Sequence, residues 1–536
     1  MPADRRQFLV DTFGATVLSS LPASLFADAG APPATAMWDA GQVRHILPTV
    51  SDSEMLIKVS LALPQKSAPR LSIGSATVPG RMNDTQGEFW QFHATDLQPG
   101  RRYTLTLAAS NGKPLCDRWD LSTFPPRDAR VDRFRVLFFS CAGGHEALTF
   151  LPAAVRNRLL RRALTFQPDA VVANGDHVYW DLLSPAGGPR LGASETAKRI
   201  AGTFARSALV FGTNNETVLK RAAAPQIVPV YGTDFRSTPV FFLQDDHDYF
   251  ENDEATDEII TFPPSAFTMQ LARATQRLFY PEFLRDTDRP LGLPWSSQGD
   301  RDSGLSESFG TLRYGRLAEI LLYDVRRTLT LAGPSAVFVD REAERWLLDR
   351  TAANDTMHLV HVPSNPPGWS AGKWGEWYPD ILGSDGKLTT KVTKPYWQAG
   401  WLAQHDRLMT SLAAQPNRIP LIVSGDLHAI GAGKMLRCGT KNFAANPVTA
   451  VLPGPIGTGP TGWPSGRRGI GATVPEHIDL HEEIAPLEQH GFTIADFQPA
   501  GIDLRFFKWN VNAESLDAID SLEPFDVMKL GVRLSI

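Results

Sequence analysis

Residues 37 to about 124 show short-range alternation of hydrophobic and polar positions. It is clearest in MLIKVSLAL, EFWQFHATDL, RRYTLTLAAS and DRWDLSTF. Alternation with a period of two is typical of half-buried β-strands. Turn-forming stretches such as NDTQGE and LQPGRR separate these segments, so the pattern predicts a small all-β domain over residues 37–124. PPRDARVD, residues 125–132, is typical of a linker.

The pattern changes after the linker, where the predicted strands become continuously hydrophobic. FRVLFFSC and DAVVANGD flank AAVRNRLLRRALTF, whose hydrophobic residues recur at helical spacing. Strands without alternation are buried on both faces, so this order predicts an α/β domain over residues 133–536. Further hydrophobic strands are expected at PVFFLQ, AEILLYD, HLVHV and IPLIVSG, and FTIADFQPAGIDLRFFKW predicts an antiparallel hairpin.

Polar clusters follow each of these predicted strands directly. An Asp after a Gly at a strand end is commonly only a turn or a helix cap. The repetition at six strand ends instead favours a shared metal site on one edge of one sheet, where such sheets bind ligands. The clustered residues are Cys141; Asp176, His177 and Tyr179; Asp245, Asp246, His247, Asp248 and Asn252; Asp324, Arg326 and Arg327; His361; and Asp426 and His428.

The donor types in these clusters indicate which metals are expected. The acidic segment FLQDDHDYFENDE, residues 242–254, would destabilise the fold through like-charge repulsion unless cations or solvent compensate it. Carboxylate oxygens suit calcium, magnesium or manganese, whereas Cys141, Tyr179 and His428 suit iron or zinc. A carboxylate can bridge two ions about 3.5–4 Å apart, so one site could hold both classes.

Composition and charge exclude several other classes of protein. A chain of 536 residues is long enough for a large core and an accessory module. Its composition, 43% hydrophobic and 21% charged, is typical of a globular protein. A net charge of −5 without a basic block gives no nucleic-acid-binding footprint. Three cysteines argue against a disulfide framework. No stretch is apolar enough to predict a stable membrane span.

Residues 1–36 have the pattern of an export signal. DRRQFLV precedes a weakly hydrophobic segment that ends in small residues, with cleavage expected after Ala29 or Ala36. Arg5 and Arg6 resemble the twin-arginine motif, which predicts export of the folded protein by the twin-arginine machinery to a periplasmic or extracellular location. An amphipathic N-terminus is the alternative.

Four motifs in series, SC, GDxxY, DDHD and GDxH, resemble the alkaline phosphatase D family (PhoD-like) of calcineurin-like metallophosphoesterases. The all-β region, with a fibronectin type III-like corner in LQPGRRYTLTL, and the twin-arginine leader resemble that family's layout. The resemblance implies a four-layer αββα sandwich preceded by a small fibronectin type III-like domain. It also implies hydrolysis of phosphate mono- or diesters by attack of a metal-bound water or hydroxide, with Fe(3+) and Ca(2+); magnesium, manganese or zinc are alternatives.

The resemblance also assigns roles by position in the motifs. It implies that iron is held by Cys141, Asp176, Tyr179 and His428, and that Asp176 bridges to a calcium side containing Asp246 and Asp426. His247 is the expected catalytic group at the phosphate or leaving oxygen. Arg326 is expected to act in catalysis and to bind the phosphate of the small ester substrate. Trp463, in a rim loop near Arg467 and Arg468, is a further candidate for substrate contact.

Several features depart from the family pattern. YWQAGW stands where the family has a Trp-Asp-Gly-Tyr stretch, GGHE follows Cys141, and His361 has no expected counterpart. A phospholipase D-like diesterase and a catalytically inert binding protein are therefore kept as alternatives. His477 and His481 are expected to face solvent on a helix, and Trp369, Trp374 and Trp377 are expected either in the core or at a pocket wall.

Overall fold

The computed structural model describes residues 38–180, 198–250, 263–330, 333–371, 381–382, 388–389, 399–415, 417–460, 462–468, 471–475 and 477–531. All the described helices and strands belong to one compact unit, Ala40–Ile536. The predicted leader, Asn252, Trp374, Trp377 and the Tyr396–Gln398 part of YWQAGW lie outside the described residues. Of the helices that are described, none is long and apolar enough to cross a bilayer.

The N-terminal region folds into two antiparallel four-stranded sheets, as its alternating pattern predicts. The first has the order β1 (Val43–Val50), β2 (Met55–Leu61), β6 (Phe89–Ala94), β5 (Arg81–Met82). The second has the order β4 (Ala76–Pro79), β3 (Arg70–Ile73), β7 (Arg102–Ala108), β8 (Trp119–Ser122). In β7 buried and exposed residues alternate. The Tyr103 hydroxyl accepts a hydrogen bond from the Gln98 backbone N–H at 2.8 Å, which closes the predicted corner.

A six-stranded mixed sheet contains the first three hydrophobic strands that follow the linker. Its order is β11 (Val240–Leu243), β10 (Ala170–Asn174), β9 (Phe134–Ser140), β22 (His490–Gln498), β23 (Gly501–Trp509), β24 (Asp526–Gly531). Strands β9, β10 and β11 are parallel, and β22 pairs with β9 antiparallel. Strands β22 and β23 form the predicted C-terminal hairpin.

An eight-stranded mixed sheet contains the remaining hydrophobic strands. Its order is β12 (Phe309–Tyr314), β13 (Ala318–Tyr323), β14 (His358–Pro363), β17 (Leu421–Val423), β20 (Val448–Pro453), β18 (Ile430–Cys438), β19 (Lys441–Asn442), with β21 (Ile478–Leu487) paired to β18. Strands β13, β14, β17 and β20 are parallel. A separate two-stranded sheet comprises β15 (Ile381–Leu382) and β16 (Leu388–Thr389).

Six α-helices are present among the described residues: α1 (Ala153–Leu164), α2 (Asn214–Tyr231), α3 (Ala266–Phe279), α4 (Arg341–Ala352), α5 (Ala399–Ala413) and α6 (Pro464–Arg468). Short 3₁₀ helices cover Glu146–Leu148, Asp246–Tyr249, Gly333–Ser335 and Leu516–Ser521. One hydrophobic core packs α1, α2 and α3 with the six-stranded sheet, and a second packs α4 and α5 with the eight-stranded sheet. The predicted four-layer αββα arrangement is confirmed.

Two expectations from the sequence pattern are wrong. The polar clusters do not lie on one sheet, because β9, β10 and β11 belong to one sheet and β13, β14 and β17 to another. The segment around His477 and His481 is not a helix, since His481 lies within β21 and pairs with Lys434. Apolar residues alternate with exposed acids along β21, and that alternation favours a strand.

Candidate metal centre

The carboxyl ends of the parallel strands lie at one level in the six-stranded sheet. Ser140 of β9 is opposite Asn174 of β10, and Asn174 is opposite Leu243 of β11. The residues that follow these strands therefore emerge side by side. The Asn174 side-chain amide donates to the Pro363 carbonyl at 3.0 Å, which joins this edge to the end of β14 in the other sheet. Residues that follow strands of both sheets thus lie at one shared edge.

The loops after the strands are held in unusual backbone conformations. Cys141, Asp176, Asp426 and His428 all have positive φ, between 48° and 70°. A non-glycine residue in this region costs of the order of 1–3 kcal/mol, and such residues cluster at functional sites. Gly175 also has positive φ, and a side chain there would meet Asp245 with its Cβ only 2.5 Å away. The chain therefore maintains strain at four of the predicted ligand positions.

One buried carboxylate fixes the loop that carries Asp176. Asp248 Oδ2 accepts the backbone N–H groups of Asp176 and Asp245 at 3.0 and 2.9 Å. Its Oδ1 accepts those of His177 and Val178 at 3.1 and 3.0 Å. Four hydrogen bonds to one charged group set the backbone of two neighbouring strand ends. Asp248 is thus a positioning residue beneath the site.

The four side chains predicted to hold iron come together in the structure. The ligand atoms of Cys141, Asp176 and His428 all lie within 4.8 Å of one another, and each residue is buried. The Tyr179 hydroxyl lies 3.1 Å from Asp176 Oδ2 and 2.8 Å from His428 Nε2. His428 Nδ1 lies 2.8 Å from the Gly462 carbonyl, so this nitrogen carries the proton. His428 Nε2 therefore has its lone pair directed at the cluster.

A second set of donors adjoins the first through Asp176. The ligand atoms of Asp176, Asp246 and His247 form one group within 4.8 Å, and those of Asp245, Asp246 and Asp426 form another. Asp176 and Asp246 therefore connect the sulfur-containing group to a group of carboxylates. His247 lies against the Tyr179 ring, with 4.1 Å between the ring centroids. This arrangement can hold two cations of different chemical preference with a shared carboxylate.

Arg326 lies within the carboxylate group rather than at its rim. Its Nε donates to Asp245 Oδ1 at 2.5 Å and its Nη2 donates to Asp426 Oδ2 at 3.0 Å. The side chain is 1% exposed. A network of Tyr249, Asp324 and Arg327 supports it from below, because Asp324 Oδ1 accepts the Arg326 backbone N–H at 2.9 Å. Arg326 thus orients Asp426, a predicted calcium-side carboxylate, together with Asp245.

Burial makes it costly to ionise the acidic side chains of this site. Burial, with a further contribution from Asp246, raises the pKa of Asp176 to about 7. Burial followed by the charge of Asp176 raises the pKa of both the Cys141 thiol and the Tyr179 phenol. Burial also raises the pKa of Asp245 although Arg326 opposes that rise. A nearby cation reverses each of these effects, since it favours the charged form of every donor.

The donors fit the metals that the motifs imply. Within the described part of the chain, Asp176 Oδ1 and Asp245 Oδ2 are buried oxygens that accept no hydrogen bond. Buried polar atoms normally have a partner, and a cation at either oxygen would provide one. Sulfur, phenol and imidazole donors on one side suit iron or zinc, and carboxylates on the other suit calcium, magnesium or manganese.

The structure also locates residues that the sequence left open or missed. Asp245 belongs to the carboxylate group with Asp246 and Asp426. Asp245 and Asp246 are adjacent acids in DDHD, so residue spacing could not show that both belong to the site. His361 is a core residue: its Nδ1 lies 3.2 Å from the Tyr323 hydroxyl and its Nε2 lies 2.9 Å from Thr351 Oγ1. Burial lowers the pKa of His361 to about 3.

The rim of the site includes the segment after β20. Gly462, whose carbonyl lies against His428, immediately precedes Trp463, which begins the approach to α6. The Trp463 ring packs against His490 with 5.1 Å between the ring centroids. Trp369, by contrast, is 1% exposed and belongs to the core packed by α4 and α5.

Comparison with solved structures identifies the fold. A structure of PhoD matches with a TM-score of 0.55 and 15% identity, covering 94% of each chain. A purple acid phosphatase isolated from yellow lupin (Lupinus luteus) seeds matches with a TM-score of 0.52 and 13% identity, covering 91% of this chain and 74% of that one. No family model and no curated protein sequence matches the chain. The fold is therefore PhoD-like, as the motifs predicted.

Proposed function

We propose that this protein is a metal-dependent phosphoesterase with iron and calcium at the strand-end site. The observation that supports this most directly is the shared position of Asp176 between two groups of donors. One contains Cys141 and His428, and the other contains Asp246 and carboxylates beyond it. Tyr179 completes the iron side, and Asp426 completes the calcium side. The PhoD-like fold agrees with this activity.

The ions would supply acidification of a water nucleophile and stabilisation of charge on the phosphoryl oxygens. Asp248 keeps the Asp176 loop in place, and Arg326 keeps Asp245 and Asp426 oriented. Because Arg326 is 1% exposed and already donates to both carboxylates, it would act on the ester through Asp245 and Asp426 rather than by touching the phosphate itself. Trp463 follows Gly462, whose carbonyl lies 2.8 Å from His428 Nδ1, and would contact the ester substituent.

His247 is proposed as the group that gives a proton to the leaving oxygen. It lies in the same donor group as Asp176 and Asp246 and is 6% exposed. We expect His247→Gln to lower kcat by about 10²- to 10⁴-fold for an alkyl phosphate and much less for p-nitrophenyl phosphate, whose leaving group needs no proton. Equal losses for both esters, or loss of bound metal, would assign His247 to the metal shell instead.

Metal analysis of the purified protein tests the proposed site directly. We expect about one iron and one to two calcium ions per chain by mass spectrometry. Tyr179→Phe and Cys141→Ser should each lower iron content and hydrolysis. Cys116→Ser, a change at another buried cysteine, between β7 and β8 of the N-terminal region, is the matched control and should leave both unchanged. A wild-type protein that binds no metal under these conditions would overturn the proposal.

The substrate class can be separated with two chromogenic esters. Rates on p-nitrophenyl phosphate and on bis-p-nitrophenyl phosphate distinguish a monoesterase from a diesterase. A preference for the diester together with release of choline from phosphatidylcholine would support the phospholipase D-like alternative. No metal-dependent turnover of any of these esters would leave a binding protein as the remaining interpretation.

We also propose that the protein is exported through the twin-arginine pathway. The basis is the sequence DRRQFLV and the hydrophobic segment that follows it. Replacing Arg5 and Arg6 together by Lys should retain the precursor in the cytoplasm, whereas replacing Arg44 and Arg70 should not. Unchanged export of the paired variant would contradict the pathway assignment.

A further inference from the structure

A second cluster of metal-ligand types lies on the outer side of the eight-stranded sheet. It consists of His405 and Asp406 on α5 and Cys438, the last residue of β18. Their ligand atoms all lie within 4.8 Å of one another. None of the three belongs to the donor groups of the strand-end site. From this geometry we infer that His405, Asp406 and Cys438 bind a zinc-like transition metal at a second site.

The distances between donor atoms agree with tetrahedral zinc. Ligand bonds of about 2.3 Å to sulfur and 2.05 Å to imidazole nitrogen place the two donors about 3.6 Å apart at a tetrahedral angle. The observed separation of Cys438 Sγ and His405 Nδ1 is 3.6 Å. The same construction gives about 3.4 Å between nitrogen and a carboxylate oxygen. His405 Nδ1 and Asp406 Oδ1 are 3.8 Å apart, which is longer than this value and too long for a hydrogen bond between nitrogen and oxygen.

Burial and donor chemistry suit an ion at this cluster, in which Cys438 Sγ and His405 Nδ1 also lie at the distance of a thiol–imidazole hydrogen bond. The side chains of His405 and Asp406 are 2% and 17% exposed, and Cys438 is fully buried. Within the described residues, Asp406 Oδ1 is a buried oxygen that makes no hydrogen bond. Thiolate, imidazole and carboxylate together are ligands of zinc and related ions. The partial exposure of Asp406 leaves room for a water as fourth ligand.

The proposed ion would connect two elements that are far apart in sequence. α5 packs in the core of the eight-stranded sheet, and β18 lies within that sheet between β20 and β19. Binding would deprotonate the Cys438 thiol, whose pKa burial raises when no cation is present, with Asp406 adding to that rise. A metal at this point would fix the last residue of β18 to the outer helix layer. The role is structural, separate from ester hydrolysis.

Cobalt substitution in a chain that lacks the strand-end cysteine tests this inference. In a Cys141→Ser chain, Cys438 is the only predicted sulfur ligand, and we expect about one equivalent of Co²⁺ to produce a sulfur-to-cobalt charge-transfer absorption. Cys141→Ser combined with Cys116→Ser should keep that absorption. Adding Cys438→Ser, or Asp406→Asn with its unchanged shape, should abolish it or weaken Co²⁺ affinity at least tenfold.

Two results would overturn the inference. If the Cys141→Ser chain binds Co²⁺ without the sulfur absorption, the second site does not exist and the cluster is a thiol–imidazole hydrogen bond. Retention of the absorption after Cys438→Ser would likewise overturn the inference. Zinc-edge X-ray absorption of the zinc-loaded Cys141→Ser chain provides an independent readout, and one sulfur at about 2.3 Å is the expected result.

Discussion

Asp248→Asn tests the physical basis of the strand-end site without removing any predicted ligand. Each oxygen of Asp248 accepts two backbone N–H groups from the loops that follow β10 and β11. Asparagine retains the shape of the side chain but replaces one oxygen with an NH₂ group, a donor. Two buried N–H groups therefore lose their acceptor whichever way the amide is turned.

The magnitude follows from those two unsatisfied donors. A buried donor without a partner costs about 1–3 kcal/mol, and the two together cost about 4 kcal/mol. Loss of charge assistance on the remaining two bonds adds to that cost. Because Asp176 keeps its positive φ only while this loop is fixed, we also expect the bound iron to fall well below the wild-type amount.

Urea denaturation and metal analysis measure the two effects separately. The control is Asp479→Asn, which makes the same chemical change at an exposed position of β21 and should stay within about 0.5 kcal/mol of wild type. Asp248→Asn should lower the unfolding midpoint clearly and bind less iron while its far-ultraviolet circular dichroism stays native. If Asp248→Asn matched the control in both measurements, the four hydrogen bonds would not position the site.

Two further predictions concern the N-terminal strands. His93 on β6 is partly buried, which lowers its pKa, but hydrogen bonding to carboxylates, Asp302 first, raises it to about 9. Its contribution, of the order of 3 kcal/mol, is therefore full below roughly pH 6.5 and lost as the pH rises through about 9. Urea denaturation at pH 6.5 and 9.5 should show a fall in the free energy of unfolding for wild type and a much smaller fall for His93→Gln. An equal fall in both proteins would contradict the role of His93. Lys58→Met removes a buried partner 3.0 Å from Glu282 and should cost about 3 kcal/mol. Lys434→Met breaks an exposed pair of the same length and should cost less than about 1 kcal/mol, so similar costs in urea would refute the role of burial.

Much of the site could be predicted because its signals are local in the sequence. Each motif combines a hydrophobic strand with the polar residues directly after it, and parallel strands place such residues at a common edge. Cys141, Asp176, Tyr179 and His428 meet for that reason. The partition of the strands between two sheets could not be predicted in the same way, because pairing depends on contacts distant in sequence and the strands share one hydrophobic pattern.

The error at His477 and His481 has a different cause. A spacing of four residues places two side chains on one face of a helix, but it also places them on one face of a strand. The deciding signal was the alternation of Ile478 and Leu480 with exposed acids, which extends the strand through Leu487. A histidine pair at this spacing therefore predicts a shared face without predicting the element that carries it.

The side-chain partners of Arg326 could not be read from the sequence. Motif position associates it with a phosphate, and the structure has its guanidinium between Asp245 and Asp426. An arginine buried among carboxylates offsets their mutual repulsion, so a chain with both Asp245 and Asp246 after β11 needs such a partner. Because a bound cation would neutralise the same carboxylates, the charge of Arg326 and that of the metal are coupled. An arginine from the opposite sheet thus balances part of the negative charge in DDHD, and the proposed metal would balance the rest.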